Sequence, residues 1–336
     1  MSEVLRYAGF GNEQTFGTPV PAQFHVDIQS ASLDAPSGVE TYYPGAIGRG
    51  LRTRRPGFYA PSGNIVYGWD IRTIAAMLRW TLGGYAFTEG ASDEHNLHEI
   101  WGSADIVLPS FTSRIGKDLF EHVFAGCVAN KLDLDLATDF LLATMDTVAQ
   151  KDSKDSLAAL GELLLPDEFP LAFHEVTASL GDESGDDISA KVRALKLSIS
   201  NGVKAESGRG IGSRYPRRLN GAGRDVTISV ELAYESLDHL EAFWGGASGP
   251  SDAGATDQIM RINADAGEDG SLALLVPSAH FTKVPTQPKG RDEITQNCEL
   301  RAMTSEIDLE ESGTAVQSEL LASVLNDADD LEGESA

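Results

Sequence analysis

The chain is short of positive charge. Lys and Arg total 26 against 51 Asp and Glu, a net −25 over 336 residues, and only nine of the basic residues are Lys. That balance excludes a constitutive nucleic-acid binder, which needs a basic footprint. Cysteine is scarcer still: Cys127 and Cys298 are too few for a disulfide scaffold and sit in no ligand-like cluster. No run approaches 18 apolar residues, and the opening Met-Ser-Glu-Val-Leu-Arg lacks an apolar core, so neither a membrane span nor a signal peptide is expected. What remains, 41% hydrophobic and 23% charged, is the composition of a soluble globular protein. Its length suits one large domain or two ordinary ones.

The scarce cations are mostly guanidinium, with 17 Arg to nine Lys. High acidity with little Lys keeps a protein hydrated in concentrated salt, where repulsion between its charges is screened to a few ångströms. A salt-loving source is the expectation.

Five segments emerge along the chain. Residues 1–23, rich in Gly and Pro, read as an extended N-terminal arm. Residues 24–150 carry strand-like runs, among them Phe24 to Ile28, Asn64 to Trp69 and the alternating Leu132-Asp133-Leu134-Asp135-Leu136. One helix interrupts them: Asp70 is placed to cap it, Ile71, Ile74, Met77 and Leu78 share a face, and Gly83-Gly84 ends it. In 151–168, Leu157, Leu160, Leu163 and Leu164 recur at helical spacing, which predicts an amphipathic linker helix. Strand patterning resumes over 169–304, as in Leu195 to Ile199 and Val226 to Val230. Residues 305–336 hold ten acids and no base, and read as a flexible acidic tail with a helical turn or two near Ala315 to Leu325.

An internal repeat organises the two β-rich parts. Gly48-Arg49-Gly50-Leu51 returns 160 residues later as Gly208-Arg209-Gly210-Ile211. Each copy opens an Arg-rich, Pro-containing loop, Arg52 to Pro56 and Arg214 to Arg218, which closes on Ser62-Gly63 or Ala222-Gly223. A strand and a helix follow each time. The helices are marked by Ile74, Met77 and Trp80 in one copy and Leu237, Leu240 and Phe243 in the other, before Gly83-Gly84 and Gly245-Gly246. The ordered series predicts a duplicated, mainly β chain with two units in tandem, a pseudo-dimer rather than a solenoid.

Positions 48–64 contain four Arg and no acid, and positions 208–224 five Arg and no acid. Clustering in both copies points to a negative partner. Guanidinium forks pair with carboxylates in bidentate geometry and tolerate burial better than Lys, so another copy of this acidic chain is the expected partner. Arg49, Arg52, Arg54, Arg55, Arg209, Arg214, Arg217 and Arg218 are the candidate contact residues. Loops at opposite ends of a pseudo-dimer would make head-to-tail contacts, which build rings or stacks.

Chemistry is otherwise thin, and no catalytic, cofactor-binding or metal residue is assigned. Gly208 to Gly212 lacks the third glycine and the helix of a dinucleotide loop. Asp93-Glu94-His95-Asn96-Leu97-His98-Glu99 reads as a solvated loop rather than a metal site. Gly181 to Asp187 lacks the ligand spacing of a calcium loop and reads as a hairpin tip. His239 reads as a surface residue of the second helix.

Several short motifs in order resemble the tail tube, or major tail, proteins of long-tailed viruses. Gly11-Asn12-Glu13-Gln14-Thr15-Phe16-Gly17-Thr18-Pro19-Val20 is similar to the Glu-x-Thr-(Tyr/Phe)-Gly-Thr-Pro opening of that family. The Arg loop with its Pro-Ser-Gly-x-Ile strand, the short helix ending in Gly-Gly, Gly126 to Leu132, Leu141 to Ala149, and the late run from Asp292 to Leu300 follow in the same order. The resemblance implies a β-sandwich or split barrel with one flanking helix, and an inner sheet that joins neighbours around a hollow tube. It implies a virion protein, assembled in the host cytoplasm, with tape-measure, terminator and baseplate proteins as partners and DNA only in transit. Two units per chain imply trimeric rings of pseudo-sixfold symmetry, with hexameric rings the alternative. The competing reading is a β-rich capsid decoration, baseplate or tail-accessory subunit of the same kind of virus.

Overall fold

The computed structural model describes residues 6–43, 51, 53–91, 95–136, 139–166, 170–182, 185–252, 254–285 and 295–332. Antiparallel strands dominate, as expected for a mainly β chain. The first half supplies β1 (Tyr7–Asn12), β2 (Phe24–Ala31), β3 (Glu40–Tyr43), β4 (Thr53–Pro56), β5 (Ser62–Gly68), helix α1 (Ile71–Leu82), β6 (Gly83–Thr88), β7 (Asn96–Gly102), β8 (Phe111–Gly116), β9 (Glu121–Asp135), β10 (Leu142–Val148) and β11 (Lys151–Asp155). The second supplies β12 (Val176–Gly181), β13 (Asp186–Asp187), β14 (Val192–Ser200), β15 (Asp225–Ala233), helix α2 (Asp238–Trp244), β16 (Gln258–Asp265), β17 (Ser271–Lys283), β18 (Thr295–Ala302), β19 (Ser305–Asp308), β20 (Ala315–Ser318) and β21 (Leu321–Asn326).

In the first half six strands close a circuit: β1 pairs β8, β8 pairs β9, β9 pairs β10, β10 pairs β5, β5 pairs β2, and β2 returns to β1. Closure removes the edges that would otherwise attract other strands. The long β9 serves two layers because it bends at Gly126, whose φ of 65° belongs to the left-handed region. Residues up to Cys127 pair β8 or β11, and residues from Val128 onward pair β10 or β14. Helix α1 starts where Asp70 accepts from the Thr73 N–H at 2.7 Å, and ends where Gly83 turns left-handed and its N–H reaches the Arg79 carbonyl. Only Arg72 of the helix escapes burial, and Trp80 stacks on Phe111 at 4.3 Å and lies parallel to Phe24 at 6.0 Å. A helix buried on almost every side belongs in the core.

The pairing order recurs in the second half. β12 pairs β16, β16 pairs β17, β17 pairs β18, β18 pairs β15, and β15 pairs β14. A final strand lies against the first half of the long strand in each case, β11 on β9 and β21 on β17. The two halves meet edge to edge where β9 pairs β14 through residues 131–135 and 196–200. Leu132, Leu134, Leu197 and Ile199 beneath this joint belong to one apolar core running through both halves. Asn201 and Arg224 of the second half donate to the Thr81 and Leu82 carbonyls at the end of α1, supplying partners that a helix terminus lacks.

Four local expectations are corrected. Six residues of the N-terminal arm form β1, buried along nearly its whole length as a strand of the closed circuit. The linker helix over 151–168 is absent from the described residues: Lys151–Asp155 is β11, and a single 3-10 turn follows at Leu160–Glu162. The leucine spacing misled because Leu160, Leu164 and Leu165 are exposed rather than packed. The acidic tail is folded. Leu320, Leu321, Ala322 and Val324 are buried, and β21 fills the gap between β7 and β17. Counting acids hid this short apolar run, which forms strand rather than helix. Beyond it, Leu331 and Glu332 bind Asn12, Tyr85 and Arg79. His239 is half-buried with its ring 5.7 Å from Phe281, and burial lowers its pKa.

Candidate functional site

The β9–β14 joint welds two four-stranded layers into an eight-stranded antiparallel sheet in the order β2, β5, β10, β9, β14, β15, β18, β17. Side chains alternate across it. Ile65, Tyr67, Met145, Leu134, Leu197, Ile228, Cys298 and Leu300 face the core. The opposite face carries Asn64, Thr144, Asp146, Lys131, Asp133, Asp135, Lys196, Ser198, Thr227, Ser229, Glu231, Asn297, Glu299 and Arg301, none of them buried. Its charge is acidic, because Asp133, Asp135, Asp146, Asp225, Glu231 and Glu299 outnumber Lys131, Lys196 and Arg301.

Asp133 holds the joint together on this face. Its Oδ2 accepts from Lys131 Nζ at 2.8 Å on its own strand and from Lys196 Nζ at 3.1 Å across the joint. Burial alone would raise its pKa; the bonds from Lys131, Ser198 and Lys196 outweigh it and hold the carboxyl below its ordinary value. Asp146, on the neighbouring strand, is pushed up, mainly by burial. Arg301 is tied to Asp225 at 2.8 Å. The bases on this face are therefore spoken for.

The Arg loops emerge at one end of this sheet. From β5 to β15 there are four antiparallel steps, so those strands run in the same direction and the loops preceding them share an end. This corrects the expectation of opposite ends: the halves join side by side, not back to back. The loops also touch. The Tyr59 N–H donates to the Arg214 carbonyl at 2.7 Å, and the Arg214 guanidinium lies over Tyr59 at 4.9 Å and Tyr215 at 5.7 Å. Arg209 lies over Phe58 at 5.6 Å, and Arg217 donates to the Ile211 carbonyl. Gly208 is required because a Cβ there would run into the Arg218 carbonyl oxygen.

The candidate arginines thus divide by role. Arg209, Arg214 and Arg217 shape the second loop itself. Arg54 is exposed on the β3–β4 hairpin and pairs with Glu40 at 3.3 Å. Arg55 and Arg218 are exposed, with no ion-pair partner among the described residues. Arg49 and Arg52 lie outside the described residues. Apolar side chains stand among these charges, with Ile211 99% and Leu51 66% exposed. At the opposite end of the sheet Phe140, Phe173 and Leu237 are exposed near Asp139, Glu175, Glu235 and Asp238.

Glu13, within the motif that carries the resemblance, has a structural task that its sequence context did not reveal. Its two oxygens accept from the N–H groups of Gly17 and Gly126 and the hydroxyls of Ser110 and Thr112, all at 2.8–3.0 Å. One carboxylate thus fastens the segment after β1 to the bend in β9. His98 of the acidic-His cluster is buried in β7, between Tyr85 and Asn326, while Asp93 and Glu94 lie outside the described residues. Among the described residues no three His, Cys, Asp or Glu side chains gather as a metal site, and no helix is long and apolar enough to cross a membrane.

The model of one family, phage tail tube protein, matches residues 8–302, from the start of β1 to the end of β18. No curated protein matches the chain.

Proposed function

Since the chain belongs to the phage tail tube protein family, we propose that it stacks as rings into the hollow tail tube through which the viral genome leaves. That it is a structural component of the virion tail, self-assembling with other tail components, follows from the family. The finer reading rests on one observation: the same strand order stands on each side of the β9–β14 joint. Each chain then contributes two tube units by duplication, and three chains make a ring of pseudo-sixfold symmetry. The acidic sheet face lines the lumen, where carboxylates repel DNA phosphates and leave the genome free to slide.

Stacking uses the two ends of the sheet. The Arg loops, with exposed Leu51 and Ile211, meet the end bearing Phe140, Phe173 and Leu237 and its carboxylates on the next ring. The contact is heterologous, so it propagates as a filament. Tape-measure, terminator and baseplate proteins are its partners along and at the ends of that filament, with assembly in the host cytoplasm. Electron microscopy of the purified protein tests the reading. Long hollow filaments whose cross-section holds three chains per ring support it. Six chains per ring overturn the two-unit assignment, and small closed oligomers without filaments overturn the tube itself.

A further inference from the structure

We propose that His25 is an acid-sensitive latch on the strap that leads from the first half of the chain to the second, Ser156 to Pro166, holding it down at neutral pH and releasing it in acid. The strap leaves β11 and crosses the face of the β2–β1–β8–β9 layer that carries His25, Tyr7, Arg114 and Glu121. Apolar burial does not hold it there, because Leu160, Leu164 and Leu165 are exposed. Polar fastenings do. Arg114 reaches Asp155, just before the strap, at 3.3 Å, and the Ala158 N–H donates to the Tyr7 hydroxyl oxygen at 3.0 Å. Leu164 is gripped twice: the His25 backbone N–H donates to its carbonyl and His25 Nδ1 accepts from its N–H, each at 2.9 Å.

An imidazole nitrogen that accepts a hydrogen bond carries no proton. Protonation at Nδ1 sets donor against donor, and the bond to Leu164 is lost. The ring has little room to turn aside: it stands edge-on to Tyr7 at 5.3 Å and lies against Gly9, where a Cβ would come within 2.9 Å of its Nε2. His25 is buried, which lowers its pKa; the Glu121 carboxylate opposes that and Arg114 reinforces it. The nearby acids have partners of their own. Glu121 accepts from Tyr7 at 2.9 Å and from Arg114 at 2.6 Å, and Glu162 turns back to the Ala159 N–H of the strap at 3.0 Å. Nor do the other fastenings titrate in the same range. Bonds from the Ser156 N–H and Arg114 hold Asp155 below the ordinary carboxylate value, and burial pushes Tyr7 up to about 12. Latched, the His25 ring binds a proton less readily than released. Latching is therefore complete above the ordinary imidazole value of about 6.5 and weakens by up to about tenfold per pH unit below it, until the lowered value is reached. Release opens one wall of the groove that Leu164, Leu165 and Pro166 form with Phe24 of β2 and Arg72 and Ala76 of α1.

Amide hydrogen exchange of the intact protein, expressed at each pH as protection relative to the unfolded rate, tests the latch. From about pH 7.5 to about pH 4.5 the amides of residues 158–166 should lose protection, by up to about tenfold per pH unit, while those of β9 from Val128 to Asp135 keep theirs. In His25→Asn, whose amide oxygen stands close to the place of Nδ1 and does not titrate, strap protection should not depend on pH. In His25→Phe, which has no acceptor, it should be low throughout. Protection of the unmodified strap that ignores pH overturns the latch. So does an acid-dependent loss in either variant, since another group then titrates, and so does a His25→Phe strap as protected at neutral pH as the unmodified one. Loss in β9 at the same pH also overturns it, because the event is then global unfolding.

Discussion

Removing the C-terminal 34 residues, 303–336, should destroy the fold, although they lie beyond the family match and carry ten acids without a base. β21 sits between β7 and β17 with ladder partners on both sides. Leu320, Ala322 and Val324 are fully buried and Leu321 is 4% exposed. Two Leu and one Val at roughly 1.5–3 kcal/mol each give about 4.5 to 9 kcal/mol of lost burial. The ladder bonds and the newly exposed Ile100, Leu272 and Leu274 add to that cost. A typical domain has only about 5–15 kcal/mol in total. The truncated chain should therefore show no cooperative urea transition by circular dichroism. A milder variant, Leu320→Ala, should keep the transition and lose about 2–5 kcal/mol. If the chain ending at Ala302 unfolds at the urea concentration of the full chain, the segment is a loose tail and the packing argument fails.

Replacing Glu13 with Gln should destabilise by about 2 kcal/mol in chemical denaturation, because an amide sets a donor against the Gly17 or Gly126 N–H that a carboxylate accepts. Charge reversal of Arg54, Arg55 and Arg218 to Glu should abolish filament growth seen by electron microscopy, while each exposed change alters stability by no more than about 0.5 kcal/mol; filaments that still grow would remove the loops from the stacking contact. Asp133 binds its proton less readily folded than unfolded, so its contribution is present above the ordinary carboxylate value of about 3.9 and is lost as pH falls through its lowered folded value. A stability profile of Asp133→Asn should lack that acid-dependent loss. With a net charge of −25, thermal unfolding should move upward as KCl rises towards molar concentrations, where the screening length shrinks to about 3 Å; an unmoved transition would count against a salt-adapted source.

Local structure was legible wherever one short stretch contained its own reasons. Asp70, the apolar positions after it and Gly83 define α1 without help from distant residues. Alternation in Leu132 to Leu136 and Leu195 to Ile199 marks strands whose two faces meet different surroundings. Spacing failed where partners lie far away in sequence. Tyr7 to Asn12 looks like an arm until β2 and β8 flank it, and Leu320 to Leu325 looks like part of a tail until β7 and β17 do. The Arg loops show a third case. Their residues were legible as a repeat, but their common end depends on the number of antiparallel steps between β5 and β15, which no local pattern states.

That parity also bears on why a conduit would be built from this composition. On the proposed arrangement, side-by-side joining sends every Arg loop to the stacking end and leaves the inner face to the strands. Arg55 and Arg218, exposed and without an ion-pair partner among the described residues, then stand in β4 and in the second Arg loop, away from the lumen-facing row. On that row each cation has an acid within reach: Lys131 and Lys196 share Asp133, and Arg301 holds Asp225. Among the described residues of that row a passing phosphate finds no free cation to stop it, while Asp135, Asp146 and Glu231 keep the surface repulsive. Reversing this order, for instance with Asp135→Lys and Glu231→Lys, should leave tubes intact, because neither side chain packs in the core. It should make short double-stranded DNA bind the tubes with a steep dependence on salt, roughly tracking the number of phosphates neutralised. DNA bound in the lumen should resist added nuclease; bound DNA that is digested as fast as free DNA would mean that this face looks outward, and that the acidic lumen must be sought on another layer of the fold.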